Sequence, residues 1–307
     1  MPSTTYILCP GQGAQAVGMG KELAAKSAVA RDTFETANRV VGFDLTSLCF
    51  NGPEDRLNQT DISQPAIYVT SVASFRAARK AGVVDPETVT AYAGLSLGEY
   101  TALHLAGVFG FEDGLKLVAA RGRYMQEAAV ATPSGMVAIM GADKAAVVGL
   151  CEQHAGGEVL VPANYNAPGQ IVVSGSKAAC ERVLAGAEAA GLKAAALKVA
   201  GAFHSPLMQS GADRMKAELD KVQMRPPQKP VYSNVTGHPH KDAEMIKRLL
   251  VEQIVSPVLW EDTMVKLVAA GEGAKFVELS PGRTLAGLAK RINRRLPVES
   301  VETLIPS

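Results

Sequence analysis

Gly94-Leu95-Ser96-Leu97-Gly98 carries the strongest chemical signal in the chain. An apolar run, Val89 to Ala93, precedes it, and a helical pattern follows. A strand that turns sharply into a helix projects the residue between them at the strand's carboxyl end, and glycines two before and two after remove the crowding. Ser96 is therefore the candidate nucleophile. A glycine turn with a capping serine is the plainer reading of the same letters, and the flanking strand and helix weigh against it. N–H groups at the start of the following helix lack intrahelical partners and face any developing oxyanion.

A serine hydroxyl needs a base, and the chain offers five histidines. His104 lies about 12 Å along the same predicted helix, too far to take the proton, so it is expected to be packed or at the surface. His154 ends a helix before Ala155-Gly156-Gly157, where a dipole contact is the expected role. His238 and His240 sit in a Gly-His-Pro-His turn and are expected to be solvated. His204, in Gly201-Ala202-Phe203-His204-Ser205-Pro206, follows an apolar strand and precedes a helix. It sits where a second strand end can face the elbow, and is the candidate base. No Asp or Glu is obviously placed as a third member, so a backbone or amide group is expected to orient the imidazole.

The segment 112–129 reads as a helix with two arginines. Arg123 has Gln126 and Glu127 at i+3 and i+4, an ordinary solvated face with a possible ion pair. Arg121 points with Leu117, Val118, Tyr124 and Met125. A buried arginine needs a partner, or its desolvation cost is large. Two readings stay open: a structural ion pair, or a bidentate clamp for a substrate carboxylate. Cys9, Cys49, Cys151 and Cys180 are widely spaced, with no C-x-x-C and no histidine at a metal spacing. They read as free thiols in a reducing cytoplasm.

The elements around these residues alternate. Tyr6 to Cys9 reads as a strand running into Pro10-Gly11-Gln12-Gly13, a loop that a parallel-sheet protein places at a strand's carboxyl end. Helices dominate to Lys80, and Val89 to Ala93 is a second strand. Strands joined by long crossovers imply a parallel sheet covered by helices. The middle differs. Met136 to Met140, Val159 to Val161, Gln170 to Ser174 and Lys193 to Val199 read as strands, with helices capped by Asp143 and Ser176. A Pro/Asn/Gly loop joins the second and third strands. The order β-α-β-β-α-β is the ferredoxin-like split unit. Strands at Val231 to Val235 and Lys275 to Leu279 resume the first pattern. The expected architecture is α/β: a discontinuous, α/β-hydrolase-like large domain of 1–132 and 201–307, with a small ferredoxin-like subdomain inserted at 133–200.

The 307 residues, 47% hydrophobic and 20% charged, suit a folded protein able to bury a sizeable core. A formal charge of +1 gives no global field for nucleic acid or an anionic membrane. The first lysine is Lys21, so Met1 to Pro10 does not read as a signal peptide. Val159 to Ser176, though uncharged, is broken by proline, glycine and asparagine and does not read as a membrane helix.

Together these motifs resemble the malonyl-CoA:acyl carrier protein transacylase family, the acyltransferases of type II fatty acid synthesis. The resemblance runs from Pro10-Gly11-Gln12-Gly13 to Leu279-Ser280-Pro281-Gly282. It implies that Ser96 is the nucleophile and His204 the base, and that Gln12 and the N–H of Leu97 receive the oxyanion. Arg121-Gly122 with Met125-Gln126-Glu127 resembles the carboxylate-binding helix. Ala163-Asn164-Tyr165-Asn166-Ala167-Pro168-Gly169-Gln170 resembles a substrate loop of the small domain, which brings in Asn164. Glu252-Gln253-Ile254 resembles the segment whose glutamine carbonyl orients the histidine. Phe203 is the residue type that accompanies malonyl rather than methylmalonyl preference. Leu95 departs from the histidine found in many members, which bears on substrate positioning rather than on activity.

The implied reaction is ping-pong transfer of a malonyl group from malonyl-CoA to the pantetheine thiol of acyl carrier protein. It needs neither metal nor organic cofactor. Lys290, Arg291, Arg294 and Arg295 form two i, i+4 pairs on a predicted helix: either a docking patch for an acidic carrier protein or residues that suit a helix C-terminus. Alternatives are a stand-alone acyltransferase of a polyketide or polyunsaturated-lipid assembly line, a serine acyl hydrolase, and a non-catalytic carrier-protein binder. Neither nucleic acid nor membrane is an expected partner, and a monomer is the default.

Overall fold

A computed structural model describes residues 4–271 and 273–304, so Met1 to Ser3, at the start of the segment set apart from a signal peptide, lie outside it. Five parallel strands, β1 (Thr5–Cys9), β2 (Val89–Gly94), β7 (Val231–Tyr232), β8 (Lys275–Glu278) and β9 (Val298–Ser300), form a sheet in the order β7-β2-β1-β8-β9. The other four, β3 (Ser134–Met140), β4 (Leu160–Ala167), β5 (Gln170–Ser176) and β6 (Lys193–Ala196), form an antiparallel sheet in the order β4-β5-β3-β6. Its helices, Lys144–His154 and Lys177–Ala189, start where Asp143 and Ser176 accept the N–H of Ala146 and Ala179. The chain thus combines a parallel sheet of the large kind with a small βαββαβ sheet, as its sequence pattern predicts.

β1 is buried along its whole length, as a strand covered on both faces must be. Alternation decides which core each residue joins. Ile7 and Cys9 face the larger apolar cluster, with the helices Thr60–Lys80 and Phe111–Ala131. Tyr6 and Leu8 face the opposite cluster around Trp260, Met264 and Leu285. The small sheet keeps its own core of Val137, Ile139, Ile171 and Val173.

Several predicted boundaries move. The expected Pro/Asn/Gly loop is mostly strand, because β4 continues to Ala167 and leaves only Pro168 and Gly169 to turn. Pro162 is tolerated because β4 is an edge strand and its register shifts between Pro162 and Asn164. β6 ends at Ala196 and β7 is two residues long, both shorter than the apolar runs suggest. β9 is absent from the sequence prediction, since three residues carry no readable period. Among the described residues, no helix is long and apolar enough to cross a membrane. All four cysteines are buried free thiols, and burial pushes Cys49 and Cys151 up to about 12. Cys9, beside the glycine loop, is likewise pushed up by burial, which leaves it inert.

Candidate active site

β2 ends at Gly94 and the helix Gly98–Leu105 begins four residues later, with Ser96 between them at φ 52°. The glycine spacing has a steric cause. A Cβ on Gly94 would lie 1.9 Å from the Gly98 carbonyl carbon, and one on Gly98 would lie 2.1 Å from the Cys9 carbonyl oxygen. His204 is the other non-glycine residue with positive φ among those described, at 57°. Such backbone costs about 1–3 kcal/mol per residue and persists where the surroundings over-determine it. The two strained residues meet: Ser96 Oγ lies 2.8 Å from His204 Nε2.

The tautomer follows from the second ring nitrogen. His204 Nδ1 is 2.7 Å from the Gln253 backbone carbonyl, which can only accept, so Nδ1 carries the hydrogen. Nε2 is left as an acceptor toward the serine hydroxyl. No carboxylate is needed to orient the ring, in line with the absence of an acidic candidate in the sequence. Burial, and then the nearby Arg121 charge, lowers the His204 pKa to about 4, so the imidazole is neutral near pH 7.

Arg121 is 1% exposed and makes no ion pair among the described residues. Its guanidinium donates to Gln64 Oε1 at 2.7 Å, to Gln253 Oε1 at 2.9 Å and to Ser96 Oγ at 3.0 Å. The Tyr100 ring lies 5.6 Å from the guanidinium carbon. Nε has no partner. Burial lowers its pKa, and the neighbouring Tyr100 and Glu99 oppose that shift. The structural ion pair is thus ruled out in favour of a buried cation held by two neutral amides and reaching the nucleophile. An anionic group such as a carboxylate is the partner such a cation lacks.

The loop after β1 lies against the elbow, where the Leu95 N–H donates to the Cys9 carbonyl at 3.1 Å. Among the described residues, the N–H groups of Gln12 and Leu97 have no protein acceptor. Gln12 Nε2 donates to Thr60 Oγ1 at 3.3 Å, and the Thr60 N–H donates to Gln126 Oε1 at 3.0 Å. Gln126 therefore turns inward and ties this loop to the arginine helix, rather than sharing the solvated face of Arg123 and Glu127. Phe203 is buried beside His204, and its carbonyl accepts from Ser174 Oγ of β5 at 2.5 Å. Asn164 lies on β4, bridged to Val258. Its side chain makes no hydrogen bond to Ser96, His204 or Arg121 among the described residues.

The remaining histidines do other work. His104 Nδ1 bonds the Phe109 carbonyl at 3.0 Å, and burial lowers its pKa to about 4. His238 lies 2.9 Å from Lys266 Nζ. His240, expected to be solvated, is buried against Glu99 at 2.7 Å, because the turn folds back beside β7 and carries the ring under the elbow. The basic residues near the C-terminus do not share one helix. Lys290 and Arg291 end Thr284–Ile292, while Arg294 and Arg295 lie in the following turn, so the i, i+4 spacing does not stack them. Sequence reading missed Gln64, Glu99, Asn234 and the side chain of Gln253. A buried glutamine on an apolar helix face was the one available signal, at Gln64.

A model of the acyl transferase domain family matches residues 5–307. A malonyl CoA-acyl carrier protein transacylase of Salmonella typhimurium is 42% identical over 284 residues, covering 92% of this chain and 91% of that protein. The solved structure of a malonyl CoA-acyl carrier protein transacylase from Coxiella burnetii matches with a TM-score of 0.94 at 38% identity, over 99% of this chain and 98% of that one. A malonyl-transacylase solved in complex with its type II polyketide acyl-carrier protein matches with a TM-score of 0.93 at 38% identity, over 99% of each chain.

Proposed function

The chain belongs to the acyl transferase family, and from that premise and the site geometry we infer that it moves a malonyl group from malonyl-CoA to the phosphopantetheine thiol of acyl carrier protein, supplying fatty acid biosynthesis. The observation that carries this reading is Arg121: a buried cation with no carboxylate partner among the described residues, 3.0 Å from the Ser96 Oγ. An ester hydrolase has no use for it. A malonyl group does, because its free carboxylate pairs with the guanidinium while its thioester carbonyl meets Ser96.

In this scheme His204 Nε2 takes the Ser96 proton as Oγ attacks the thioester carbonyl. The N–H groups of Gln12 and Leu97 hold the oxyanion, each well-aimed donor contributing a few kcal/mol. Collapse expels CoA, whose sulfur takes that proton back from His204, and leaves malonyl-serine. The carrier thiol then enters, gives its proton to His204, and takes the acyl group by the reverse sequence. Gln253 orients His204 through its carbonyl. Asn164 and Phe203 border the acyl path from the small sheet and from the histidine loop. The scheme uses no metal and no organic cofactor, and malonyl-CoA and the carrier protein are substrates. We take 133–200 as the small subdomain and the remainder as the catalytic domain. The free thiols and the carrier-protein chemistry support a cytoplasmic location.

The test is intact-protein mass spectrometry after brief incubation with malonyl-CoA, beside acetyl-CoA and Ser96→Ala. One malonyl adduct, absent from both controls, is the expected result. Rapid release of CoA and malonate without an adduct would make the protein a hydrolase. A second reading, service to a polyketide line, is favoured by the similarity to the polyketide transacylase complex. Comparing KM for fatty-acid and polyketide carrier proteins separates the two. The exposed Lys290, Arg291, Arg294 and Arg295 are the proposed docking charges. Charge reversal at Arg294 and Arg295 raises the carrier-protein KM if they serve that role, and an unchanged KM removes it.

A further inference from the structure

Three donors converge on one buried carboxylate beneath the elbow. Glu99 is fully buried. Its Oε1 accepts from His240 Nε2 at 2.7 Å. Its Oε2 accepts from the Asn234 backbone N–H at 3.0 Å and from Gln253 Nε2 at 2.7 Å. Two of these donors are arms that reach the reacting groups. The Asn234 side chain spans the elbow, accepting the Ser96 N–H at 2.5 Å and donating to the Gly94 carbonyl at 2.7 Å. Gln253 bonds the Ser96 carbonyl at 3.0 Å through Nε2, Arg121 at 2.9 Å through Oε1, and His204 through its backbone carbonyl.

We propose that Glu99 is a positioning residue for acyl transfer: a single carboxylate that, through Asn234 and Gln253, fixes Ser96, His204 and Arg121 relative to one another. The proposal rests on the transfer reading above. An amide side chain does not by itself choose which end faces which neighbour. Glu99, which takes only donors, joins the Ser96 carbonyl and the Arg121 guanidinium in making the choice for Gln253: Nε2 faces Glu99 and that carbonyl, and Oε1 faces Arg121. The backbone N–H of Asn234 is held in the same way, which sets the side chain that staples the left-handed Ser96. His240 closes the third side. Its Nε2 donates to the carboxylate, and its Nδ1 has no partner among the described residues. A carboxylate offers two acceptor oxygens to three donors, and a glutamine in its place offers one.

The test is Glu99→Gln in the full-length chain, with four readouts: melting temperature, the rate of Ser96 labelling by a fluorophosphonate, kcat with malonyl-CoA, and the malonyl-over-acetyl ratio. Labelling needs the serine and the base but not the arginine. The expected result is a folded protein whose labelling and malonyl kcat each fall about 10- to 100-fold, with a lowered malonyl-over-acetyl ratio. Asn234→Ser cuts the elbow arm and a long 3.4 Å contact with Gln253, and leaves the backbone N–H to Glu99 in place. Labelling and transfer of both acyl groups should then fall together, with the ratio kept. A group that serves folding alone lowers the melting temperature and leaves the rates of the folded protein unmoved, and that result in either variant overturns the proposal. Slower labelling with an unaltered ratio in Glu99→Gln overturns the shared role. If Glu99→Gln does not fold, Glu99→Asp, which keeps the charge and withdraws it by one methylene, is read in the same four ways. The parent is assayed alongside. A parent that forms no malonyl-Ser96 refutes the transfer reading, whereas a competent parent with unmoved variants refutes only the role of Glu99.

Discussion

Replacing Arg121 with alanine separates the clamp from the rest of the machinery. The guanidinium is 1% exposed and its fork is held by Gln64 and Gln253, so it meets the substrate carboxylate with little competition from water. A hydrogen bond to a charged partner contributes about 1.5–3 kcal/mol, and a bidentate contact makes two. Their loss in the transition state is ~3–6 kcal/mol, or a fall of roughly two to four orders of magnitude in malonyl kcat/KM. Acetyl-CoA brings no carboxylate and loses none of this, so Arg121→Ala should transfer acetyl in preference to malonyl. A second signature is electrostatic. Burial and the Arg121 charge together lower the His204 pKa, and removing the charge leaves burial alone. The acid limb of kcat/KM for acetyl transfer should therefore move to higher pH in the variant. The assay is kcat/KM for both donors across pH, with intact mass confirming acylation of Ser96. An unchanged malonyl-to-acetyl ratio would refute the clamp, and an unmoved acid limb would refute the coupling to His204.

The parent enzyme should keep its kcat/KM well below pH 6 and lose it as pH falls through about 4, where the buried His204 takes up a proton; a limb near 6.5 contradicts this. Glu278 is buried and its pKa is pushed up to about 7, chiefly by desolvation, while it caps Thr284–Ile292 through the N–H groups of Leu285 and Ala286. The folded state then holds a proton that the unfolded state releases, so stability is full below an ordinary 4.5 and falls by ~3 kcal/mol as pH rises through about 7. Urea denaturation between about pH 5 and 8 should show this slope in the parent and not in Glu278→Gln, and equal slopes refute it. Gly98→Ala places a Cβ 2.1 Å from the Cys9 carbonyl, so it should abolish fluorophosphonate labelling of Ser96 by displacing the elbow, and normal labelling would show that the loop yields.

The sequence by itself singled out Ser96, His204 and Arg121 as candidates and set most of the order of the elements. Gly94-Leu95-Ser96-Leu97-Gly98 is legible because its glycines answer contacts within a few residues and with the adjoining β1 loop. Helix caps at Asp143 and Ser176 are local for the same reason. Arg121 could be picked out because a charged residue stood on an apolar helix face, although the face alone left a structural ion pair open. Only the tertiary structure closed that question, by showing two amides, Gln64 and Gln253, where a carboxylate would have to be. It also reversed the reading of His240, which looked solvated in a Gly-His-Pro-His turn and is buried against Glu99. Glu99 and Asn234 lie 135 residues apart in sequence, and His240 and Glu99 lie 141 apart. A buried polar group is specified by whichever partners fold around it, and those partners leave no periodic trace in the chain. Apolar faces and glycine turns are written locally. The hydrogen bonds that hold Ser96, His204 and Arg121 together come into being when the strand ends meet.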